Sequence, residues 1–408
     1  MFQVVNGGTP SADADNWGGG VAWATPVDLG RHHGKAIAET ARTLTPRGLL
    51  TGSAAVPAGS LVVSTRAPIG YVAQAVVDLA FNQGCRGLVP EERVDPRYYR
   101  YAFVSLIDSL QSLGQGSTFV ELSSEALAAV LIPSPPPEQQ RAIANFLDTE
   151  IVRIDTLVAK KRRLAVQADV RWRSQVVKEL QLAGRSSTGP TPWIEDPLPD
   201  RWELRPLKRL ITRSWGGDWG LDPGGAAWEL PCVRAADFDF ANLVAQVGVR
   251  RSFDAITLAS RVLQPGDFVV EKSGGGEGVP VGRVVAWRGE GAAVPTNFAG
   301  GMRPSGDVDA TFALLAFRVA YEIGLPWRSI KQTTGLQNLD LGHYLTHQLP
   351  VPPLEDQRAI ARLLMRELER VRSLQSRMEQ QIALLQEHRQ ALITAAVTGE
   401  LEVPGVAA

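Results

Sequence analysis

The sequence predicts an α+β protein in which two mixed α/β domains are separated by two long antiparallel coiled-coil helices, arranged as a pseudo-twofold repeat. The first observation is an internal repeat. Residues 132–147 read IPSPPPEQQRAIANFL and residues 349–364 read LPVPPLEDQRAIARLL, so ten of sixteen positions are identical at an offset of 217. The second observation is that a long stretch without proline or glycine follows each copy. The third is that the segment before each copy is rich in glycine and proline and holds short β-branched runs.

Each copy of the repeat marks the start of a long helix. Acidic residues lie in the first turn, Glu138 in one copy and Glu355 with Asp356 in the other, where they suit the positive end of a helix. The helices are predicted over residues 138–182 and 355–398, and each would be roughly 65 Å long, which exceeds the width of a small domain. Apolar residues recur every seven positions along the second helix and less regularly along the first, as is typical of a coiled coil. We therefore expect the helices to pair through a seam made of Leu147, Ile154, Leu157, Leu164, Leu364, Val371, Met378, Leu385 and Leu392.

The segments that precede the helices are predicted to be irregular domains with short strands. Runs such as SLVVS at residues 60–64 and GDFVVE at residues 266–271 lie between turn-forming residues. A polar stretch with two prolines, residues 185–192, has the composition of a surface linker. The chain is thus predicted to consist of a first domain, a helix, a linker, a second domain, a helix and a tail, at residues 1–134, 135–184, 185–197, 198–350, 351–401 and 402–408.

Composition and charge argue against several classes of protein. The net charge of −1 does not fit a free-standing, non-specific DNA-binding protein, which is usually strongly basic. No run of about 18 apolar residues predicts a spanning helix, and the N-terminus does not read as an export signal, so we expect a cytoplasmic protein without a membrane partner. Cys85 and Cys232 show no metal-binding spacing and are expected to be buried, unreactive thiols.

Motifs that carry enzyme chemistry are missing from the sequence. It contains no GxGxxG, no GxxxxGK[ST] and no Asn-Pro-Pro-aromatic quartet of the kind an amino-methyltransferase needs. Glu271 and Lys272 follow Asp267 as in some nuclease sites, but adjacent residues leave a strand on opposite faces and could not both serve one metal. His343 and His347 lack the glutamate of a zinc-protease helix. We expect no catalytic residue, no metal site and no cofactor in this chain.

Short motifs occur in a fixed order around the two predicted helices. The first half contains GGTPS at residues 7–11, WAT at 23–25 with DL at 28–29, STRAPIG at 64–70, NQG at 82–84 and GSTF at 116–119. The second half contains LPDRW at 198–202, TTGLQ at 333–337 and RQALITAAVTGEL at 389–401. This ordered set resembles the specificity (S) subunits of type I restriction-modification systems over nearly the whole chain. One departure is that LPDRW has no counterpart before residue 7, so either the recorded start lies downstream of the true one or the first domain lacks an edge strand and an initial helix.

The resemblance implies a non-catalytic subunit with two target-recognition domains. Each domain would read one half of a bipartite double-stranded DNA sequence, while the helices set the spacing and dock the modification subunits. The implied partners are DNA, two methyltransferase subunits and restriction/translocase subunits; S-adenosylmethionine, ATP and magnesium would belong to those partner subunits. Two alternatives stay open: the recognition half of a single-chain restriction-methylation enzyme, and a protein-binding spacer. A methyltransferase gene beside this one would favour the subunit over both.

Candidate DNA-binding residues follow from the chemistry of base recognition. Arg and Lys suit guanine, Asn and Gln suit adenine, and Ser and Thr more often contact phosphates. For each single residue a structural role in a turn is an equal alternative. The candidates are Arg31, Lys35, Arg66, Asn82, Gln83, Gln115, Ser117 and Thr118 in the first domain, and Arg234, Lys272, Ser273, Asn297, Lys331, Gln332 and Thr333 in the second.

Overall fold

A computed structural model describes residues 1–66, 68–114, 121–180, 198–276, 278–333 and 335–406, without the side chains of residues 332 and 333. These residues divide into two compact units. The first unit comprises residues 1–162 and 378–408, and the second comprises residues 163–377. Each long helix therefore contributes one part to each unit.

The first unit contains two sheets and several short helices before the first long helix. A five-stranded sheet has the order β1-β9-β6-β7-β3, and a four-stranded sheet has the order β4-β2-β8-β5. Its strands are β1 (Phe2–Asn6), β2 (Trp17–Ala24), β3 (Lys35–Ile37), β4 (Arg42–Leu44), β5 (Ala54–Val56), β6 (Leu61–Ser64), β7 (Val72–Ala75), β8 (Leu79–Phe81) and β9 (Cys85–Pro90). Its helices are α1 (Pro26–Arg31), α2 (Pro46–Gly52), α3 (Pro96–Ser105), α4 (Ile107–Ser112), α5 (Ser124–Ala128) and the long helix α6 (Pro137–Glu179), which continues into the second unit.

The second unit has an equivalent five-stranded sheet and a smaller sheet with a similar strand pairing, together with two further small sheets. Its sheets have the orders β11-β19-β15-β17-β13, β14-β12-β18, β16-β21-β20 and β10-β22. The strands are β10 (Glu203–Pro206), β11 (Ile211–Gly216), β12 (Trp228–Val233), β13 (Val244–Ala245), β14 (Val249–Phe253), β15 (Phe268–Glu271), β16 (Ser273–Gly274), β17 (Val284–Trp287), β18 (Val294–Pro295), β19 (Ala299–Pro304), β20 (Ile330–Thr333), β21 (Leu336–Leu339) and β22 (Gln348–Val351). The helices are α7 (Ala255–Arg261), α8 (Ala310–Glu322), α9 (Leu341–Tyr344) and the long helix α10 (Leu354–Thr398), which continues into the first unit.

The two large sheets share one connectivity, so the repeat extends well beyond the sixteen residues that show it in the sequence. In both, a long edge strand pairs antiparallel with the strand that precedes the domain helix: β1 with β9, and β11 with β19. In both, a central strand lies buried on its two faces, β6 in the first unit and β15 in the second. Central strands that are covered on both sides read as continuous apolar runs, which explains LVVS and FVVE. The predicted α+β fold class, with two mixed domains and two long helices, is confirmed.

Helix α6 begins at Pro137, where the missing proline N–H costs no helical hydrogen bond. One buried side chain ties this start to the domain: Gln140 accepts a hydrogen bond from the backbone N–H of Asp95 at 2.9 Å and donates to the carbonyl of Pro135 at 2.8 Å. Asp95 is the N-cap of α3, so the domain helix and the long helix are fixed together. The helix ends at Glu179, three residues before the predicted end, because Leu180 is already a turn residue.

Helix α10 begins in the same way. Gln357 accepts from the backbone N–H of Asp309, the N-cap of α8, at 2.9 Å and donates to the carbonyl of Pro352 at 2.9 Å. Within the second unit α10 packs on the final turns of α6, where the buried indole of Trp172 donates to the carbonyl of Leu364 at 3.0 Å. The predicted end at residue 398 agrees with the observed end.

The units differ at the strand before each long helix. In the second unit β10 pairs antiparallel with β22 and covers it, and the 3₁₀ turn Leu207–Leu210 follows. Residues 131–134, which correspond to β22 in the repeat, are not paired to any strand within the described part of the first unit, and Leu131 is 91% exposed. The domain boundaries predicted from the sequence remain predictions.

Candidate nucleic-acid interface

Three segments meet at one end of the large sheet of the first unit. We call residues 65–66, 82–84 and 121–122 the first corner. The N–H of Thr65 donates to the carbonyl of Gly84 at 2.8 Å, and the carbonyl of Thr65 accepts from the N–H of Leu122 at 2.9 Å. Arg66 then pairs with Glu121 at 2.7 Å. The corner thus follows directly from the end of β6 and brings three distant pieces of chain together.

The second unit forms the equivalent corner from residues 272–273, 296–298 and 338–339, which we call the second corner. The N–H of Lys272 donates to the carbonyl of Phe298 at 2.9 Å, and the carbonyl of Lys272 accepts from the N–H of Leu339 at 2.7 Å. Ser273 Oγ donates to Asn338 Oδ1 at 2.6 Å. The backbone bonds match those of the first corner one by one, while the side chains differ.

The amide side chains of the first corner are partly free. Asn82 Oδ1 accepts from the N–H of Gly84 at 3.0 Å, which is a local turn bond, and Gln83 Oε1 accepts from the hydroxyl of Thr9. Neither amide nitrogen has a hydrogen-bond acceptor within the described residues. Because an amide oxygen has two lone pairs, each side chain keeps both a donor and an acceptor for a ligand. Gln83 is exposed, so its amide is accessible from solvent.

The two corners differ in electrostatics. In the first, Glu121 binds Arg66 and lies 3.8 Å from Arg86, a residue just outside the corner, so this carboxylate is shared between two guanidinium groups. The hydrogen bond that Arg66 donates to Glu121 raises the pKa of the Arg66 guanidinium above its ordinary value. In the second corner the ammonium of Lys272 has no hydrogen bond or ion pair to any described residue. The second corner therefore carries the more available positive charge.

Four candidates lie outside the corners. Lys35 pairs with Asp155 of α6 at 2.8 Å, and Arg234 pairs with Asp237 at 2.8 Å in a capping box. The ammonium of Lys331, on the strand that flanks the second corner, contacts Asp340 at 2.7 Å. Arg31, at the end of α1, is exposed. Three of these four side chains thus already have an acidic partner.

The remaining candidates are placed only in part. Gln115, Ser117 and Thr118 lie outside the described residues. Gln332 and Thr333 lie on β20, opposite Gln337 and Leu336 of β21. The structure thus brings Arg66, Asn82, Gln83, Lys272, Ser273 and Asn297 into the two corners.

Sequence reasoning missed several residues that build the corners. Glu121, Arg86 and Asn338 supply charge or hydrogen bonds, and Phe298 presents an aromatic side chain that is 51% exposed. The sequence did hold one signal for Asn338: the offset of 217 aligns it with Glu121. The two aligned residues differ in type, a carboxylate in the first corner and an amide in the second.

Some of the predicted seam residues are buried and others are exposed. In the first unit Leu147 and Ile154 are buried, and Leu385 and Leu392 pack against the same core. In the second unit Leu364 is buried and Val371 packs on the core beside it. Met378 is half-buried, while Leu157 and Leu164 are 40% and 51% exposed. The seam as a whole stays a prediction.

Other residues singled out in the sequence have structural partners. Asp267 binds Arg303 through two hydrogen bonds of 2.9 and 2.7 Å, and Glu271 binds Arg283 through two of 2.8 Å. Within the described ranges, no group of three or more acidic, histidine or cysteine side chains is arranged to hold a metal ion. The helices of the described ranges include none with the length and apolar character needed to span a membrane.

The histidine pair and the two cysteines also have structural explanations. His343 and His347 both contact the hydroxyl of Ser329, at 3.0 and 3.1 Å. Cys85 and Cys232 are free and buried, and burial raises the pKa of each thiol, to about 12 for Cys232. Hydrogen bonding explains the placement of both histidines, and burial explains that of both cysteines.

Comparison with known proteins shows what the first part of the chain is similar to. Residues 1–164 match the family model described as "Type I restriction modification DNA specificity domain". The MjaIX specificity subunit of Methanocaldococcus jannaschii is 36% identical over 165 residues, which are 40% of this chain and 37% of that protein. The putative MjaX specificity subunit of the same organism is 33% identical over 104 residues, which are 25% of this chain and 24% of that protein. The chain thus spans about a third or less of the length of these relatives.

Solved structures extend the likeness in fold over the whole chain. A chain from a structure of type I restriction-modification complex assembly is 18% identical, with a TM-score of 0.68 and 98% of each chain covered. The HsdS subunit of Thermoanaerobacter tengcongensis is 17% identical, with a TM-score of 0.51 and coverage of 98% of this chain and 97% of that one. At these identities the likeness shows the fold alone. Over residues 1–164, the chain is therefore similar to the type I restriction-modification DNA specificity domains, the resemblance that its sequence motifs indicate.

Proposed function

We propose that this chain is the DNA-reading subunit of a type I restriction-modification complex, and that each unit reads one half of a bipartite double-stranded target. The observation that carries the proposal is the repeated corner. Each unit presents amide, hydroxyl or cationic side chains on one backbone arrangement, and these are the groups that bind base edges. The family match over residues 1–164 supports DNA as the ligand.

The weak overall charge fits a subunit better than a free-standing DNA-binding protein. Non-specific affinity for DNA comes from neutralised phosphates, and the chain has 42 basic against 43 acidic residues. Partners would then supply much of the phosphate binding, and the corners would supply the sequence preference. In this proposal the methyltransferase subunits, two per chain, dock on the long helices, and restriction/translocase subunits complete the complex. Any S-adenosylmethionine, ATP and magnesium are held by those subunits, and the protein acts in the cytoplasm.

The experiment that tests the proposal is a domain exchange. Residues 201–348 are replaced by the equivalent domain of a related subunit, and whole-genome methylation is mapped in cells that carry each version with the same methyltransferase. One half of the methylated motif should change, while the other half and the gap stay as they were, because the first unit's domain and both helices are untouched. A motif altered in both halves would indicate one composite binding surface and would refute the two-reader arrangement.

The same mapping tests the spacing. If both domains read the same face of B-DNA, the centres of the half-sites should lie about one helical turn apart, roughly 10 base pairs. Half-sites half a turn out of phase, or one continuous site, would contradict this geometry. Purification adds a third readout, because a chain that stays stable and monomeric in the presence of its methyltransferase would contradict the subunit role.

A further inference from the structure

Lys272 is the sole cation among the residues of the second corner. Two neighbouring carboxylates are already engaged, since Glu271 is held by Arg283 and Asp267 by Arg303, each through two hydrogen bonds. No described residue accepts a hydrogen bond from the Lys272 ammonium. An ammonium has three donors, so its acceptors must come from outside the described chain.

Two glycines make room for the lysine side chain. A Cβ at Gly300 would lie 3.0 Å from Cδ of Lys272, and a Cβ at Gly216 would lie 3.9 Å from its Nζ. The backbone of Lys272 is fixed from both sides by its bonds to Phe298 and Leu339. A half-buried side chain on a fixed backbone, lying along a glycine-lined path, loses little further freedom when it binds a ligand.

We propose that Lys272 selects a guanine in the half-site read by the second unit. The inference rests on the proposed function and specifies its chemistry. In the major groove guanine offers two acceptors, O6 and N7, whereas thymine offers one acceptor beside its methyl group, adenine pairs one acceptor with a donor, and cytosine presents a donor. A donor-only ammonium therefore favours guanine.

The surroundings of Lys272 favour a base over a phosphate as its ligand. Phosphates are bound by Arg and Lys, by hydroxyl and amide side chains and by backbone N–H groups, whereas apolar contacts are made to base edges. In the second corner the lysine is accompanied by the exposed Asn297, the exposed ring of Phe298 and the Ser273–Asn338 pair, and by no second cation. Amide and apolar groups are the ones that contact base edges and methyl groups.

The test uses the full chain co-purified with the modification subunits encoded beside it, and duplexes that carry the motif found by methylation mapping. In one duplex a guanine of the second half-site is replaced by 7-deazaguanine, which lacks N7 and pairs normally; in another it is replaced by adenine. Affinity is measured by fluorescence anisotropy at several salt concentrations. The wild type should lose about five- to 150-fold in affinity on the altered duplex, the range expected for one good base contact.

The variants separate the two kinds of contact. Lys272→Met should bind native and altered duplexes equally, Lys272→Arg should keep the discrimination, and Lys208→Met, at an exposed lysine of the same unit, should behave as the wild type. Lys272→Ala provides the same comparison if the methionine variant fails to fold.

Two results would overturn the inference directly: a second half-site that contains no guanine, or a Lys272→Met variant that still discriminates between the duplexes as the wild type does. A third is a Lys272→Met variant that loses affinity equally for all duplexes and whose affinity depends less steeply on salt, with a slope lower by about one, because this pattern indicates a phosphate contact. The wild type by itself tests the broader proposal, since a wild type that binds no duplex sequence-specifically would refute the proposed function before any variant is compared.

Discussion

The buried glutamine at the start of each long helix allows the contribution of its two hydrogen bonds to stability to be tested twice, once in each unit. Gln357 is 1% exposed, and Gln357→Ala removes its bonds to the N–H of Asp309 and the carbonyl of Pro352. Each buried group left without a partner costs about 1–3 kcal/mol, so we expect the loss of two partners to lower the free energy of unfolding of the second unit by about 2–6 kcal/mol. Gln140→Ala should cost the first unit a similar amount, because Gln140 makes the same two bonds at 3% exposure.

A glutamate at the same position gives a signature that simple loss of packing would not. A carboxylate can accept from Asp309 but cannot donate to Pro352, whereas a protonated carboxyl can do both. Burial raises the pKa of the introduced carboxyl above about 4.3, its unfolded value. The Gln357→Glu variant should therefore be most stable below that pH and lose stability as the pH rises through the raised pKa of the folded state.

Urea unfolding at pH 5 and pH 8 measures the effect of the alanine and glutamate variants on the free energy of unfolding. Hydrogen-exchange mass spectrometry then assigns each loss of stability to one of the two units. Gln380→Ala, at an exposed position of α10, is the control and should change the unfolding free energy by less than about 0.5 kcal/mol. A Gln357→Ala variant within about 0.5 kcal/mol of the wild type would refute the reasoning, as would a Gln357→Glu variant whose stability relative to the wild type is independent of pH.

Three further predictions concern buried side chains. Trp172→Ala should destabilise the second unit by about 3–5 kcal/mol in the same denaturation assay, whereas Trp327→Ala, at 47% exposure, should have a small effect; equal losses would contradict the role of Trp172 between the helices. The ring of His33 should stay neutral at pH 5.5, because burial, and after it the charge of Arg389, lowers its pKa to about 4; stability should fall as the pH drops below about 6.5, and an NMR titration midpoint near 6.5 would disprove this. Cys85 and Cys232 should react with Ellman's reagent only after unfolding, and rapid modification of the native chain would show that they are accessible.

The helices could be predicted because their signal is local. A run without proline or glycine and an apolar repeat of seven are both visible within one segment, and the repeated start showed that there are two such helices. The predicted and observed ends differ by at most three residues. The fold class followed from the order of these segments.

The corners could be predicted only as sets of residues, because their geometry depends on pairs that are distant in sequence. Arg66 meets Glu121 across 55 positions and Ser273 meets Asn338 across 65. The partner of Lys35 is Asp155, 120 positions away on the long helix, which no local pattern reveals. Residue type identifies a side chain that could bind DNA, but only the tertiary structure shows whether that side chain already forms an ion pair with an acidic residue.

The backbone frame of the corners has a consequence for the DNA reading that we propose. The bonds that hold each corner closed run from main chain to main chain: Thr65 to Gly84 and Leu122 in one unit, Lys272 to Phe298 in the other. Such bonds do not depend on which side chain a residue carries, apart from proline. If the corners read DNA as proposed, a substitution at a reading position can exchange one base preference for another while the loop keeps its shape. A main-chain frame of this kind would let the recognised sequence change without a loss of the fold.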